Sequence, residues 1–277
     1  MKIGVLVDNL GLPLREGILA AANEGVSGVQ LYVDLGWSPS ERKELAAFIK
    51  ENGLVLSAMC GDLDIGGFAD PQKNPRFIDI VKHAFDVALE MGCHIVTRHI
   101  GVVPDDKNHP RYGVIQEACE TAGRYAESMG GIFAIETGPE KAEVLERFIG
   151  SLSTKGVGVN LDPANLVMTF GGEGAPSVYT LKDYIVHTHI KDGRLKQFCD
   201  PDIMYGMPGA PEIEGDEWDY CEETPVGEGD VNFPSYLSAL KAIGYTGFLT
   251  VEREMVENPV EDMKRSVAYV KALIADK

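Results

Sequence analysis

Eight short apolar runs, each followed by a helix-length amphipathic stretch or a loop, recur along the whole chain. That alternation restricts the fold more than any other feature of the sequence. The runs lie near residues 2–7, 28–33, 54–59, 94–100, 131–136, 156–162, 185–191 and 247–252. Helical patterns occupy 13–23, 39–51, 75–91, 112–129 and 140–149, and a last one runs from 259 to the end. Several of them open on proline or an acidic residue, and several stop at a glycine (Gly25, Gly53, Gly92, Gly130), as helix start and stop chemistry requires. Strands that alternate with helices pair in parallel through crossover connections. Eight such strands close a barrel, and 277 residues suit one. The expected fold is α/β, a (β/α)8 TIM barrel forming one domain over residues 1–277.

One stretch breaks this rhythm. Residues 195–225, with PDIMYGMPGAPEIEGDEWDYCEETP inside them, have neither period. A loop this long in a compact domain is usually functional or disordered. It leaves the same strand end as the motif HTHIKDGR, so a lid or a subunit contact is expected.

Charge excludes one class of partner. With 25 Lys and Arg against 43 Asp and Glu, the formal net charge of −18 repels phosphate backbones, so no nucleic-acid partner is expected. The N-terminal apolar stretch is too short for a signal peptide, and no later run is long enough to cross a bilayer. Five cysteines, odd in number and without CxxC spacing, read as reduced thiols. A cytoplasmic protein without membrane contact is expected.

Active sites of such barrels lie at the C-terminal ends of the strands. The tips here read VTRHIG, FAIETG, VNLDPAN, HTHIKD and LTVERE, and so present His99, Glu136, Asp162, His189 and Glu252. Three carboxylates and one imidazole (Glu136, Asp162, His189, Glu252) form a donor set suited to one divalent cation. Mn²⁺ is the first expectation, with Mg²⁺, Co²⁺ or Zn²⁺ as alternatives. A sugar hydroxyl and its neighbouring carbonyl can complete the coordination, and the cation then stabilises an enediolate as it forms. Glu136 and Glu252 could also serve as the acid/base pair.

Each of these residues also has a plainer role open to it. Glu136 could cap the next helix. Asp162, before Pro163, could be an Asx-type turn residue. His187 shares a strand face with His189 and reads as a support behind it, not as a ligand. Glu254 shares the face of Glu252 and competes with it. Asn165, His99, Arg194 and Lys191 are candidate substrate contacts, with a structural role or a solvated charge as the alternatives.

Taken together, IET at 135–137, LDPANL at 161–166, HTHIKDGR at 187–194 and PVGEGDVNFPSYLSALKAIGYTGFLTVERE at 225–254 resemble the xylose isomerase-like TIM-barrel superfamily. Within it they are most similar to the sugar phosphate isomerase/epimerase group, which includes tagatose 3-epimerase, hydroxypyruvate isomerase and inosose isomerase. The resemblance implies one divalent metal on Glu136, Asp162, His189 and Glu252, with the two glutamates shuttling a proton. It implies isomerase or epimerase action on a sugar, keto-sugar or cyclitol derivative, and a homodimer or homotetramer. A dehydratase or keto-glycoside lyase on the same site and a non-catalytic sugar-binding barrel are the alternatives. Two positions depart from the ketose 3-epimerase pattern: Asn165 stands where a histidine is usual, and Leu195 where an arginine is usual. Asn165 also removes one zinc-binding histidine of endonuclease IV, which uses the same barrel, and no histidine follows His189.

Overall fold

The computed structural model describes residues 1–62, 67–254 and 256–275. Eight parallel strands close a barrel in the order β1-β10-β7-β6-β5-β4-β3-β2. In chain order they are β1 (Lys2–Leu6), β2 (Gly28–Tyr32), β3 (Val55–Cys60), β4 (Ile95–Arg98), β5 (Ile132–Glu136), β6 (Val157–Leu161), β7 (Ile185–Ile190) and β10 (Phe248–Val251). Every strand expected from the apolar runs is present, most of them trimmed by one or two residues at the ends.

The helices are α1 (Leu14–Asn23), α2 (Pro39–Glu51), α3 (Asn74–Glu90), α4 (Pro110–Ser128), α5 (Ala142–Ile149), α6 (Pro163–Phe170), α7 (Gly174–Thr180), α8 (Pro201–Met204), α9 (Phe233–Ala242) and α10 (Pro259–Ala275). Local chemistry sets their ends. Ser38 caps α2 through a capping box with Glu41, so two backbone donors of the first turn are satisfied reciprocally. The four glycines after α1 to α4 have φ between 64° and 79°, a region where a Cβ would be strained. The expected last helix ends at Ala275, and residues 276–277 lie outside the described ones.

The stretch 195–225 is more ordered than its sequence suggests. Its ends pair as an antiparallel hairpin, β8 (Asp192–Leu195) with β9 (Cys221–Thr224), so that Arg194 faces Glu222 and Gly193 faces Glu223. Between the strands, α8 carries Asp202 to within 2.6 Å of the Arg111 guanidinium at the start of α4. Met207 is buried against Ala69 and Val102. The segment thus lies across the loops that follow β3 and β4, at the end of the barrel where the strand tips emerge. Backbone pairing hid this order from the sequence, because DGRL and CEET have no alternating apolar pattern.

The interior of the barrel is not uniformly aliphatic. Gln30, Thr97, Asn160, His187 and Thr250, from five different strands, are all at most 1% exposed. They form a hydrogen-bonded polar layer inside a shell of Val, Ile, Leu and Phe. Two ladders slip within this layer, between Val29 and Gln30 on β2 and between Val159 and Asn160 on β6. Such bulges re-aim the side chains beside them.

Asp192 holds the last loop before α9. One carboxylate oxygen accepts from Gly193 and Val231 N–H at 2.9 and 3.0 Å, and the other from Gly227 and Gly229 N–H at 2.9 Å each. A Cβ at Gly229 would lie 2.2 Å from that carboxylate, so only glycine lets the loop close this tightly. Asp192→Ala leaves four donors without their acceptor and is expected to lower stability by roughly 2–4 kcal/mol. Urea unfolding of the two proteins measures this directly; equal midpoints would contradict the assignment.

Candidate metal centre

Glu136, Asp162, His189 and Glu252 stand at the tips of β5, β6, β7 and β10, and each offers one ligand atom within 4.8 Å of the others. They are 4%, 0%, 1% and 5% exposed. His189 Nδ1 lies 2.7 Å from Glu252 Oε2, 3.3 Å from Glu136 Oε1 and 3.6 Å from Asp162 Oδ2. It therefore faces all three carboxylates at once. Asp162 Oδ2 and Glu252 Oε2 are buried and lack a hydrogen-bond partner.

Asp162 answers the choice between turn residue and ligand by being available for both. Its Oδ1 caps α6, accepting from Ala164 N at 2.7 Å and Asn165 N at 3.2 Å, which leaves Oδ2 turned to the cluster. Thr137 ties the two neighbouring tips together. Its hydroxyl donates to the Asp162 carbonyl at 3.0 Å, while Asp162 N–H donates to that hydroxyl at 2.8 Å. Between the two glutamates of β10's end, Glu252 is in the cluster. Glu254 is not; its backbone N–H donates to Glu223 at 2.9 Å.

The electrostatics explain why these groups tolerate burial. Burial opposes the charge on His189, but Glu252 and Glu136 outweigh it and raise its pKa well above the ordinary value. Burial works against the Asp162 carboxylate too, yet contact with His189 and the charge of Lys191 hold its pKa down. His187, buried and beside His189, is pushed well below its usual range and stays neutral. The donor set fits a divalent cation. Three buried carboxylates converge on one imidazole nitrogen, and two of their oxygens make no hydrogen bond to any other group. A cation would use those oxygens together with Nδ1, an oxygen-rich donor set with a single nitrogen.

The remaining candidates divide. Asn165 reaches the cluster, its amide donating to the Thr137 carbonyl at 3.1 Å and to Glu136 at 3.4 Å. Lys191 does so as well, with its ammonium 2.9 Å from Glu223 and 3.9 Å from Glu252. His99 sits at the edge, Nδ1 on Asp62 at 3.0 Å and Nε2 3.9 Å from Glu136. The His187 ring lies 5.9 Å from that of His189, between ring centres. Arg194 is not brought to the site. It is nearly half exposed on β8, bonded to the Glu228 carbonyl and flanked by Glu222 and Asp230. The hairpin turns its strand away from the tip of β7, and this corrects its reading as a substrate contact.

Sequence reasoning missed several neighbours. Gln30 and Asn160 flank the His189 ring, and each is a polar residue inside an apolar run (VQLYV and VGVNL), a signal that was there to be read. Glu223 arrives through the pairing of β8 with β9, which no periodicity announces. Asp62 could complete a second group with His99 and Glu136. Its carboxylate already takes His99 N–H and faces the Arg98 guanidinium at 3.6 Å, so one cation suits the site better than two.

A sequence profile of the xylose isomerase-like TIM barrels matches residues 18–273. The chain belongs to this family. An uncharacterized protein of Methanocaldococcus jannaschii is 22% identical over 224 residues, covering 72% of this chain and 65% of that protein, so the chain spans less than two thirds of this curated relative. A xylose isomerase domain protein of Planctomyces limnophilus superposes with a TM-score of 0.82 at 23% identity, over 99% of this chain and 97% of that one. A D-tagatose 3-epimerase-like protein gives 0.73 at 19% identity, over 100% and 99%. The probable 3-DHS dehydratase of Bacillus anthracis gives 0.74 at 15% identity, over 98% and 99%. These likenesses establish the barrel. No described helix is long and apolar enough to cross a membrane.

Glu140, in the turn between β5 and α5, supplies a test of how the mouth is built. It is 4% exposed, with one oxygen taking Val103 N–H at 3.4 Å and the other without a partner. Burial pushes its carboxyl from 4.5 up to about 8. Between those values the unfolded chain ionises while the fold keeps the acid protonated, so stability falls as pH rises. Glu140→Gln is expected to raise the melting temperature more at pH 8 than at pH 5. A pH-independent difference would show that the carboxyl ionises in the fold as it does in water.

Proposed function

We propose that this barrel is a metal-dependent isomerase or epimerase of sugars or keto-sugar and cyclitol derivatives. The observation that carries the reading is the convergence of three buried carboxylates on His189 Nδ1, with Asp162 Oδ2 and Glu252 Oε2 free of hydrogen bonds to any other group. A divalent cation bound there supplies Lewis acidity and a template for two adjacent substrate oxygens.

The chain's own groups then divide the work. Asp162 and His189 are ligands. Glu136 and Glu252 are ligands whose carboxylates also flank the reacting carbons. One takes the proton from the carbon beside the carbonyl, and the C–H electron pair moves into a C=C bond as the carbonyl oxygen takes up the charge. The other returns a proton to the same carbon for epimerisation; for isomerisation the proton goes to the former carbonyl carbon, while the neighbouring hydroxyl passes its proton to the former carbonyl oxygen and becomes the new carbonyl. Lys191, held by Glu223, is placed to steady a substrate oxygen next to Glu252. Asn165 orients Glu136 and offers its amide to a hydroxyl, and His99 borders the same space. The segment from α8 to Met207 acts as a lid that keeps water from the reacting carbons.

The substrate we favour is uncharged. Lys191 is engaged by Glu223, Arg111 by Asp202, and Arg253 by Asp262. A phosphate or carboxylate group would have to displace one of these partners next to further carboxylates. The dehydratase among the structural neighbours keeps one alternative open: if the intermediate loses a β-leaving group before reprotonation, the product is one water lighter than the substrate.

The test is a panel of keto-sugars and their phosphates incubated with Mn²⁺-loaded protein in deuterated water. An isomer carrying deuterium beside the carbonyl is expected from a neutral substrate. Glu252→Gln is expected to keep the fold and lose about 10³-fold or more in rate. A dehydrated product would favour the lyase, and near-normal turnover by Glu252→Gln would remove that residue from the chemistry.

A further inference from the structure

His189 can offer Nδ1 to a cation only if that nitrogen carries no proton, so something must hold the ring's hydrogen on Nε2. Two side chains contact Nε2, Gln30 Oε1 at 3.0 Å and Asn160 Nδ2 at 3.2 Å. The Asn160 amide nitrogen is a donor, giving one of its two hydrogens to Glu136 Oε2 at 3.1 Å. It has no lone pair to accept an imidazole N–H. Gln30 Oε1 is an acceptor and nothing else. Its orientation is fixed from behind, since Gln30 Nε2 donates to Thr97 Oγ1 at 3.1 Å. The same oxygen lies 3.0 Å from His187 Nε2, which is also 3.0 Å from Thr250 Oγ1. Gln30 is itself fully buried and sits where the β2 ladder slips against β3.

We infer that Gln30 is a positioning residue for the metal centre: its carbonyl oxygen accepts the Nε2–H of His189, so that the proton given up when a cation binds is the one on Nδ1, the nitrogen that faces Glu136, Asp162 and Glu252. His187 serves the same oxygen from below, donating its own Nε2–H and keeping the glutamine amide from turning. A chain of hydrogen bonds therefore runs from the barrel interior to the far nitrogen of the ligand ring, Thr97 to Gln30 to His189 Nε2. Partners of this kind behind a metal-bound histidine typically contribute about 10–100-fold in metal affinity. The inference rests on the metal-centre reading above, and no substrate is needed to test it.

The experiment compares wild-type protein with Gln30→Met, which keeps length without the acceptor, and Gln30→Glu, which keeps an acceptor. Zn²⁺ and Mn²⁺ affinities are measured by competition with a chelator. Nitrogen-15 spectra of the histidine-labelled, Zn²⁺-loaded protein read which ring nitrogen carries the proton. The expected results are a proton on Nε2 of His189, an affinity lower by about 10–100-fold in Gln30→Met, and affinity restored in Gln30→Glu. A proton on Nδ1, or unchanged affinity in a folded Gln30→Met, would overturn the assignment. If Gln30→Met does not fold, the wild-type spectrum and the Gln30→Glu affinity decide: loss of binding in Gln30→Glu would also overturn it. Failure of the metal-centre reading looks different, because the wild type itself would then bind no cation.

Discussion

Everything at the open end of this barrel answers to one electrostatic constraint. Three carboxylates are gathered around a single imidazole nitrogen where almost no water reaches them. At an effective dielectric of about 20, two like charges 4 Å apart repel by roughly 4 kcal/mol. One protonated histidine offsets part of that, and a divalent cation offsets more while using the oxygens left without partners. The site is thus built at a cost to stability unless something positive fills it, which is the usual mark of a centre kept for chemistry.

The scaffold holds this unfavourable set in place by tying the strand tips to one another. Thr137 joins the ends of β5 and β6, Asp162 spends one oxygen on the first turn of α6, and Asn160 and Asn165 hold Glu136 from two sides. Below them the polar layer of Gln30, Thr97, His187 and Thr250 replaces the branched aliphatics that fill many barrels. The last long loop is fastened by Asp192, and the chain beyond it, through α9 and β10, brings Glu252 to within 2.7 Å of His189. The hairpin of β8 and β9 adds Glu223, which places Lys191 beside Glu252. Each device is a local hydrogen-bond pattern, and each serves the geometry of the same four side chains.

Much of this was legible in the sequence. Strands buried on both faces read as apolar runs, so all eight barrel strands stood out, and chemically active residues at their tips followed from the fold. Glu136, Asp162, His189 and Glu252 come together because each lies at a strand end, where the period of the strand fixes its direction. Arg194 failed for the converse reason. It follows a tip by several residues, and the chain there turns into a hairpin held by backbone bonds that leave no trace in side-chain pattern. The short helix α6 was hidden because its residues are buried on nearly every side, and α7 because its seven residues, GAPSVYT, are too few to show a helical period. Gln30 and Asn160 announced themselves only as polar interruptions of apolar strands, and their meaning depends on ladder slips that spacing does not encode.

The central claim is that one divalent cation sits on Glu136, Asp162, His189 and Glu252. Elemental mass spectrometry of the purified protein, beside a variant combining Asp162→Ala and His189→Ala, tests it most directly. The account predicts about one equivalent of Mn, Co, Mg or Zn per chain, lost in the variant while the barrel still folds. No metal in the wild type, even after loading with Mn²⁺, or equal metal in both proteins, would contradict it.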